Sequence, residues 1–419
     1  MNSESAGGYG SGGHFYTPSQ TTVCVMGLGY IGLPTGSVLA TKGFHVHGVD
    51  VRPDVVDTIN RGDIHIEEPD LDVLVRSAVN SGQLKASHEP TAADVIMICV
   101  PTPIRPDHSP DLSYVEQASD AIRPHVKPGC LVVLESTSPP GTTEEIVVKR
   151  AIPPELTVGK DVFVAHCPER VLPGRILLEV VQNDRVVGGV TPACGARAKA
   201  FYESFVNGAV LVTSATAAEL TKLVENSYRD VNIAFANELS LMAEKFDVDV
   251  WEIIELANRH PRVNILSPGP GVGGHCISVD PWFLVHAAPE RTPLIRTARE
   301  VNDAKPHHVV ERIKRLAVQF AKPQIGCLGL AYKADVDDLR ESPSLDIVRA
   351  LRDEDVGQTL VCEPYVRPER FTEFPLLPLS DVLAGCNILA LLTDHRQFKD
   401  IPHRILQEKV LVDTRGVWR

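Results

Sequence analysis

The chemistry-bearing residues concentrate in Ser267-Pro-Gly-Pro-Gly-Val-Gly-Gly-His-Cys276-Ile-Ser-Val-Asp280-Pro281. Its glycines and prolines forbid a regular element ahead of the cysteine. Gly273 and Gly274 carry no Cβ, which lets the backbone lie close to a bound ligand. If a helix starts here, the Cys276 thiol sits near its positive end, which favours the thiolate. It then shares a face with Asp280. A nucleophile presented from such a loop beside a carboxylate suits covalent catalysis. Two structural readings compete with that one. A single cysteine is commonly a small buried apolar residue. Asp280-Pro281 also reads as an N-cap followed by a first helical position.

Such a loop needs elements to hold it. Thr21-Thr-Val-Cys-Val-Met26 reads as a buried strand by its β-branched apolar run. It runs into Gly27-Leu-Gly29-Tyr30-Ile31-Gly32, a GxGxxG at a strand-to-helix turn. Gly27 makes the turn, Gly29 admits a pyrophosphate, and Gly32 lets helix and strand pack closely. The helix N-terminus behind Tyr30 and Ile31 then holds the phosphates. A second strand, Phe44–Val49, ends at Asp50, placed for an adenosine ribose hydroxyl. Together these predict a dinucleotide site. Asp50 favours NAD over NADP; Arg52 softens the preference, since a basic group there can accept a 2′-phosphate.

Further strands read at 94–100, 130–134 and 162–165, ending in Pro101-Thr102-Pro103, Glu135-Ser-Thr137 and His166-Cys-Pro-Glu169-Arg170-Val171. Ligands sit beyond the carboxyl ends of parallel strands, which puts Thr102, Thr137 and Glu169 on the cofactor edge. Thr and Ser after strands are also ordinary helix caps. From about Ser214 the apolar period turns helical, and residues 215–246 read as a long helix or two. Lys222 and Asn226 share one of its faces, as a site pair or as a solvated face. Helical patterns recur at 250–258 and 291–316, the latter with a possible break at Pro306. A second α/β unit begins near Lys322, with strands at 325–330, 359–362, 387–392 and 410–412. Its first turn, Gly329-Leu-Ala-Tyr-Lys333, lacks the full glycine finger and suits a second dinucleotide less well. Lys333 and Arg340 hold another phosphate there or are surface charges.

At 419 residues the chain should form two or three domains. A net charge of -13 argues against nucleic acid or a membrane surface as partner. The nine cysteines show no CxxC pairing and mostly lie in apolar runs, as reduced thiols of a cytoplasmic protein would. His166-Cys167 and His275-Cys276 lack metal-ligand spacing, so no metal is expected. No stretch is apolar for long enough to span a bilayer. Residues 1–20 are Gly/Ser-rich without Lys or Arg, which suggests disorder and not a signal peptide.

The order of these motifs, with Glu219-Leu-Thr-Lys222-Leu-Val-Glu-Asn226 and Asp338-Leu-Arg340-Glu-Ser-Pro343, resembles the UDP-glucose/GDP-mannose dehydrogenase family from about residue 21 to the end. Four strings are most similar to the branch that oxidises UDP-N-acetyl-D-mannosamine. They are Glu68-Pro-Asp-Leu71, Cys167-Pro-Glu-Arg-Val-Leu-Pro-Gly174, Asn258-Arg-His-Pro-Arg-Val-Asn-Ile265 and Gly416-Val-Trp-Arg419. The resemblance implies an α/β fold with two Rossmann-like doubly wound domains joined by a central helical domain. The expected domains are an NAD-binding domain over 21–212, a helical dimerisation and catalytic domain over 213–318, and a UDP-sugar-binding domain over 319–419.

It further implies a four-electron oxidation at C6 of a UDP-N-acetyl-sugar through a thiohemiacetal and a thioester on Cys276, feeding cell-surface polysaccharide synthesis. Lys222 and Asn226 would stabilise oxyanions, Asp280 would orient or deprotonate water, and Glu169 and Thr137 would assist. Glu169, Arg170, Val171, Gly273 and Lys333 would line the substrate, with Lys333 on the UDP side and Arg340 between cofactor and substrate. Arg262 would reach the substrate of a neighbouring subunit, so a homodimer is expected. Glucose-specific members tend to carry Pro-Glu-Phe-Leu-Arg-Glu and Cys-Leu-Pro-Lys-Asp; here Pro173 and Val279 stand at the second glutamate and the lysine, which argues against glucose. UDP-N-acetylglucosamine is a close alternative substrate. A two-electron hydroxyacid dehydrogenase has no need of Cys276 or of the last domain. A non-catalytic nucleotide-sugar sensor would have no need of Lys222, Asn226, Cys276 and Asp280 together.

Overall fold

A computed structural model of the chain describes residues 16–172 and 174–419. They form two compact units that divide after Leu223. The first holds eight strands: β1 (Thr22–Met26), β2 (His45–Val49), β3 (Leu84–Ser87), β4 (Val95–Ile98), β5 (Leu131–Leu134), β6 (Phe163–His166), β7 (Arg185–Gly189) and β8 (Val210–Ser214). Their order is β3-β2-β1-β4-β5-β6-β7-β8. All neighbours are parallel except β6 and β7. The apolar runs explain the centre of this sheet. In β4 Val95 and Met97 enter one core, and Ile96 and Ile98 the core on the opposite face. A strand covered on both faces must be apolar at every position, as β4 and β5 are.

Three strands lie outside those the sequence reading predicts. β3 carries Lys85, while β7 opens on Arg185 and ends in two glycines. The β8 strand is exposed at four of its five residues. Order also begins earlier than the tail reading predicts. Pro18–Gln20 forms a short 3-10 turn. Tyr16 is buried edge-on against Phe201 at 5.4 Å between ring centroids, under the Arg197 guanidinium. The expectation of disorder therefore fails for residues 16–20; residues 1–15 lie outside the described residues.

The second sheet has strands β9 (Gln324–Leu328), β10 (Gln358–Cys362), β11 (Ile388–Leu391) and β12 (Val410–Asp413) in the order β10-β9-β11-β12, all parallel. Ahead of it come a single long helix Ala215–Lys245 and the helices Val250–Ala257, Asp280–Ala287 and Pro293–Ala317. The last runs through Pro306 without stopping. Proline removes one backbone bond and crowds the carbonyl four residues back. Buried side chains on both sides, Ala298, Arg299 and Asn302 before it and Val309, Val310 and Ile313 after it, hold the helix against that penalty. Among the described residues no helix is long and apolar enough to cross a membrane.

Candidate active site

In the first unit, β1 ends in the glycine turn. Gly27 has φ +90 and its N–H donates to Val49 O at 2.8 Å. A Cβ there would lie 2.9 Å from Cys99 O, so the turn is too tight for a side chain. A Cβ on Gly32 would collide with Gly27 O, which fixes the close helix–strand packing. A Cβ on Gly29 would meet nothing within 4 Å. Gly29 thus faces open space at the start of the helix Gly32–Thr41, the cradle a pyrophosphate requires. Asp50 follows β2 and is half-buried. Its carboxylate accepts from Leu28 N–H at 3.1 Å and from Arg52 N–H at 3.0 Å, which leaves acceptor capacity on both oxygens. These residues fit a dinucleotide with a free ribose 2′-hydroxyl. Arg52 does not turn to that site: its guanidinium pairs with Asp54 in solvent.

The loops after β4 and β5 are tied together. Thr102 Oγ1 donates to Thr137 O at 2.6 Å, and Ser136 Oγ to Val100 O at 2.6 Å. Beneath them lies a buried polar cluster. Glu135 accepts from Tyr202 OH at 2.6 Å and from the Cys99 thiol at 3.4 Å. Burial, and then the charge of Glu169, push the Glu135 carboxyl up to about 7. Glu169 accepts from Arg185 Nη1 at 2.5 Å and from Arg170 N–H at 2.7 Å. Burial opposes the charge on Arg185, yet the Glu169 carboxylate beside it makes the guanidinium hold its proton more firmly than usual. Arg170 Nη2 donates to Asp184 O at 2.6 Å, and Val171 packs against the core. Glu68 accepts from Gly174 and Ile176 N–H, both at 2.8 Å, and so anchors the turn after this stretch.

The long helix carries Glu219, Lys222 and Asn226 one turn apart. Glu219 is buried and accepts from Gly141 N–H at 2.6 Å and from Thr143 N–H and Oγ1 at 2.8 and 2.6 Å. It caps the segment that follows Thr137. Lys222 is half-buried and has no hydrogen-bond or ion-pair partner among the described residues.

In the second unit, the amide of buried Asn226 donates to Asp280 Oδ2 at 2.5 Å, and Asp280 is itself 3% exposed. A buried Asn in the helix interior is thus explained by a partner and not by a solvated face. Asp280 starts the helix Asp280–Ala287, and its N–H donates to Cys276 O at 2.8 Å. Cys276 precedes the helix, so the two do not share a helical face; a single closed turn brings them together instead. The thiol is exposed, as a nucleophile must be.

The glycines of this loop serve the protein's own packing. A Cβ on Gly273 would collide with Glu341 O and lie 2.8 Å from Tyr332 Cβ; one on Gly274 would lie 2.8 Å from the Tyr332 ring. The close approach expected for a ligand at Gly273 is made by residues 332–343. Gly274 N–H donates to Arg340 O at 3.3 Å, and the Arg340 guanidinium pairs with Asp338 at 2.6 Å. Lys333 is exposed without a partner among the described residues. Arg262 is exposed on a loop that Asn258 clasps, donating to Ile265 O at 3.0 Å and accepting from Ile265 N–H at 2.7 Å.

Sequence reasoning missed Arg185 and Tyr202 and assigned no role to Glu68, Glu135 or Glu219. The signal for Glu135 and Glu219 was an acid placed where the pattern demands burial.

An open dinucleotide turn with its acid in place is the mark of an NAD-dependent oxidoreductase. Three models of one family match the chain in order: the NAD binding domain over residues 21–206, the central domain over 216–304 and the UDP binding domain over 326–419. The chain belongs to the UDP-glucose/GDP-mannose dehydrogenase family, and is an NAD-dependent dehydrogenase whose last domain marks a nucleotide-linked substrate. It is 53% identical over 406 residues to the NDP-N-acetyl-D-galactosaminuronic acid dehydrogenase of Ralstonia solanacearum, covering 95% of this chain and 96% of that one. It is 50% identical over 419 residues to the UDP-N-acetyl-D-mannosamine dehydrogenase of Salmonella typhi, covering 96% and 100%. Among solved structures, a UDP-N-acetyl-mannosamine dehydrogenase from Staphylococcus aureus matches with a TM-score of 0.88 at 42% identity over 95% of both chains.

Proposed function

We propose that the chain oxidises C6 of UDP-N-acetyl-D-mannosamine to the uronate through a thioester on Cys276. The observation that carries this reading is the exposed Cys276 thiol closed in one turn onto Asp280, whose carboxylate is held by the Asn226 amide at 2.5 Å. Gly27, Gly29, Tyr30, Ile31 and Gly32 with Asp50 hold the NAD, and Thr102 and Thr137 line its edge. When bound, NAD+ accepts the hydride that each oxidation removes from C6.

After the first oxidation Cys276 Sγ attacks the aldehyde carbon and holds it as a thiohemiacetal. Lys222, without an acid partner, and the second N–H of Asn226 neutralise the C6 oxyanion. Loss of a second hydride from this carbon leaves a thioester. Asp280 takes a proton from the water that hydrolyses it, releasing the carboxylate and restoring the thiol. Glu169 and Thr137 assist proton transfer; Arg170, Val171, Lys333 and Arg340 complete the walls, while Gly273 lets residues 332–343 pack behind the loop.

Arg262, exposed on its clasped loop, reaches a neighbouring subunit's substrate, in a homodimer. The apolar stripe Val224, Tyr228, Phe235 and Met242, exposed along the long helix, supports that assembly. No cysteine among the described residues is joined in a disulfide, which supports a reducing cytoplasm and a product made there for cell-surface polysaccharide.

A second reading, oxidation of an N-acetylgalactosamine nucleotide, is favoured by the 53% identity to a relative of that name. NADH released per sugar consumed, measured separately on UDP-N-acetylmannosamine, UDP-N-acetylgalactosamine, UDP-N-acetylglucosamine and UDP-glucose, decides. Two NADH per UDP-N-acetylmannosamine is expected, with Cys276→Ser making no acid. A preference for the galacto sugar moves the assignment to the second reading. One NADH per sugar, or acid from the Cys276→Ser variant, overturns the thioester.

A further inference from the structure

We propose that Asn237 is a positioning residue for the loop that presents Cys276, acting through the Gly269 N–H; this rests on the role of Cys276 given above. Between Leu266 and Gly273, Gly269 N–H is the only backbone donor with a partner among the described residues. It donates to Asn237 Oδ1 at 2.9 Å. Asn237 Nδ2 donates to Asn302 Oδ1 at 2.8 Å. Asn302 Nδ2 donates to Asp230 Oδ1 at 2.8 Å and to Asp230 O at 3.1 Å. Arg299 Nη1 closes the line on Asp230 Oδ1 at 2.6 Å. All four side chains are at most 1% exposed.

The direction of this line is forced. A carboxylate can only accept, so Asn302 must turn its NH2 to Asp230 and its oxygen to Asn237. Asn237 must then give its own NH2 to Asn302, which leaves its oxygen for the loop. A flipped amide would set donor against donor at Gly269 and acceptor against acceptor at Asn302. The charge on Asp230 therefore orients an acceptor two side chains away, under a loop with no regular structure. The rest of the loop is held by contact. A Cβ on Gly271 would lie 2.7 Å from Pro343 and 3.2 Å from Pro306, the proline inside the helix Pro293–Ala317. The chain of amides thus fixes one end of a glycine track whose other end carries the thiol.

The test uses the full chain with Asn237→Ala, whose vacated space leaves room for water. Hydrogen exchange of peptides covering 266–275 should quicken at least about tenfold, while those in β1–β5 stay unchanged. The kcat for acid formation should fall about tenfold to hundredfold with the KM for the UDP-sugar within about threefold, since a displaced nucleophile loses orientation and not affinity. Unchanged exchange in the loop overturns the anchor. A loosened loop with unchanged kcat overturns the positioning role. Faster exchange across the whole second unit, with kcat and KM worsening together, marks a merely structural residue and also overturns it. If Asn237→Ala does not fold, Asn237→Ser is read in the same way. If Cys276→Ser still makes acid, the thioester reading fails while the exchange result stands, so the two failures are distinguishable.

Discussion

β1 ends in Gly27-Leu28-Gly29, and β9 ends in Gly329-Leu330-Ala331. Backbone geometry repeats closely. The leading glycines have φ +90 and +89, and their N–H groups donate to Val49 O and Cys362 O at 2.8 and 2.9 Å. Each turn is followed by an acid at the end of the neighbouring strand, Asp50 or Glu363, and each acid accepts from the leucine N–H, at 3.1 and 2.7 Å. From there the two diverge. Gly29 faces open space, and Asp50 is half-buried. Ala331 is fully buried, and Glu363 also accepts from Ala331 N–H at 3.0 Å, Tyr365 N–H at 2.9 Å and His395 Nε2 at 3.1 Å. His395 Nδ1 accepts from Asp335 N–H at 2.8 Å, so its proton lies on Nε2 and points at Glu363. An acid after the second strand is therefore no mark of a nucleotide site by itself. What decides is whether its oxygens are already taken.

The sharpest way to break this comparison is to remove the two acids. Glu363→Ala leaves three buried N–H groups without an acceptor and should destabilise the protein by about 3–5 kcal/mol in urea unfolding. Asp50→Ala should change stability by less than about 1 kcal/mol but weaken NAD about tenfold to hundredfold, and NADP far less. Equal stability losses at the two positions would erase the distinction. A smaller effect comes from the third residue of each turn. Gly29→Val meets open space, so stability should stay within about 0.5 kcal/mol while NAD affinity falls at least about tenfold, by titration. Ala331→Gly should cost about 0.5–1 kcal/mol and create no second dinucleotide site, because Glu363 stays engaged.

The smallest effect is on acid stability. Burial alone would raise the Glu363 carboxyl, but His395 and the backbone N–H groups overcome it and hold the group below its usual value. A carboxyl lowered in the folded state contributes stability above its unfolded value, and that contribution is lost as pH falls through the folded value. Melting temperature should therefore drop more steeply below about pH 4.5 in the wild type than in Glu363→Gln. Parallel acid limbs would remove the carboxylate from the account.

Much of the fold was legible because it rests on local chemistry. Apolar runs marked β1, β4, β5 and β9, and the glycine spacing marked the dinucleotide turn. The long helix Ala215–Lys245 showed in its period. Strands β3 and β7 stayed hidden, since charge and glycine break the pattern that reveals a strand. Pro306 reads as a possible break in the helix until the buried side chains on both sides are seen to carry the helix through it.

The chain by itself determined which residues have the chemistry: a cysteine, a carboxylate four positions on, a lysine and an asparagine one helical turn apart, and a glycine turn before an acid. These are properties of residue type and short spacing, which covalent geometry preserves in any fold. Only the tertiary structure decided what each polar group has left to offer. Asn226 gives its amide to Asp280, Glu363 gives every oxygen to its own domain, and Gly273 gives its closeness to Glu341 and Tyr332. Partners so distant in sequence meet only when the core closes, and a hydrogen bond made within the protein is not available to a ligand.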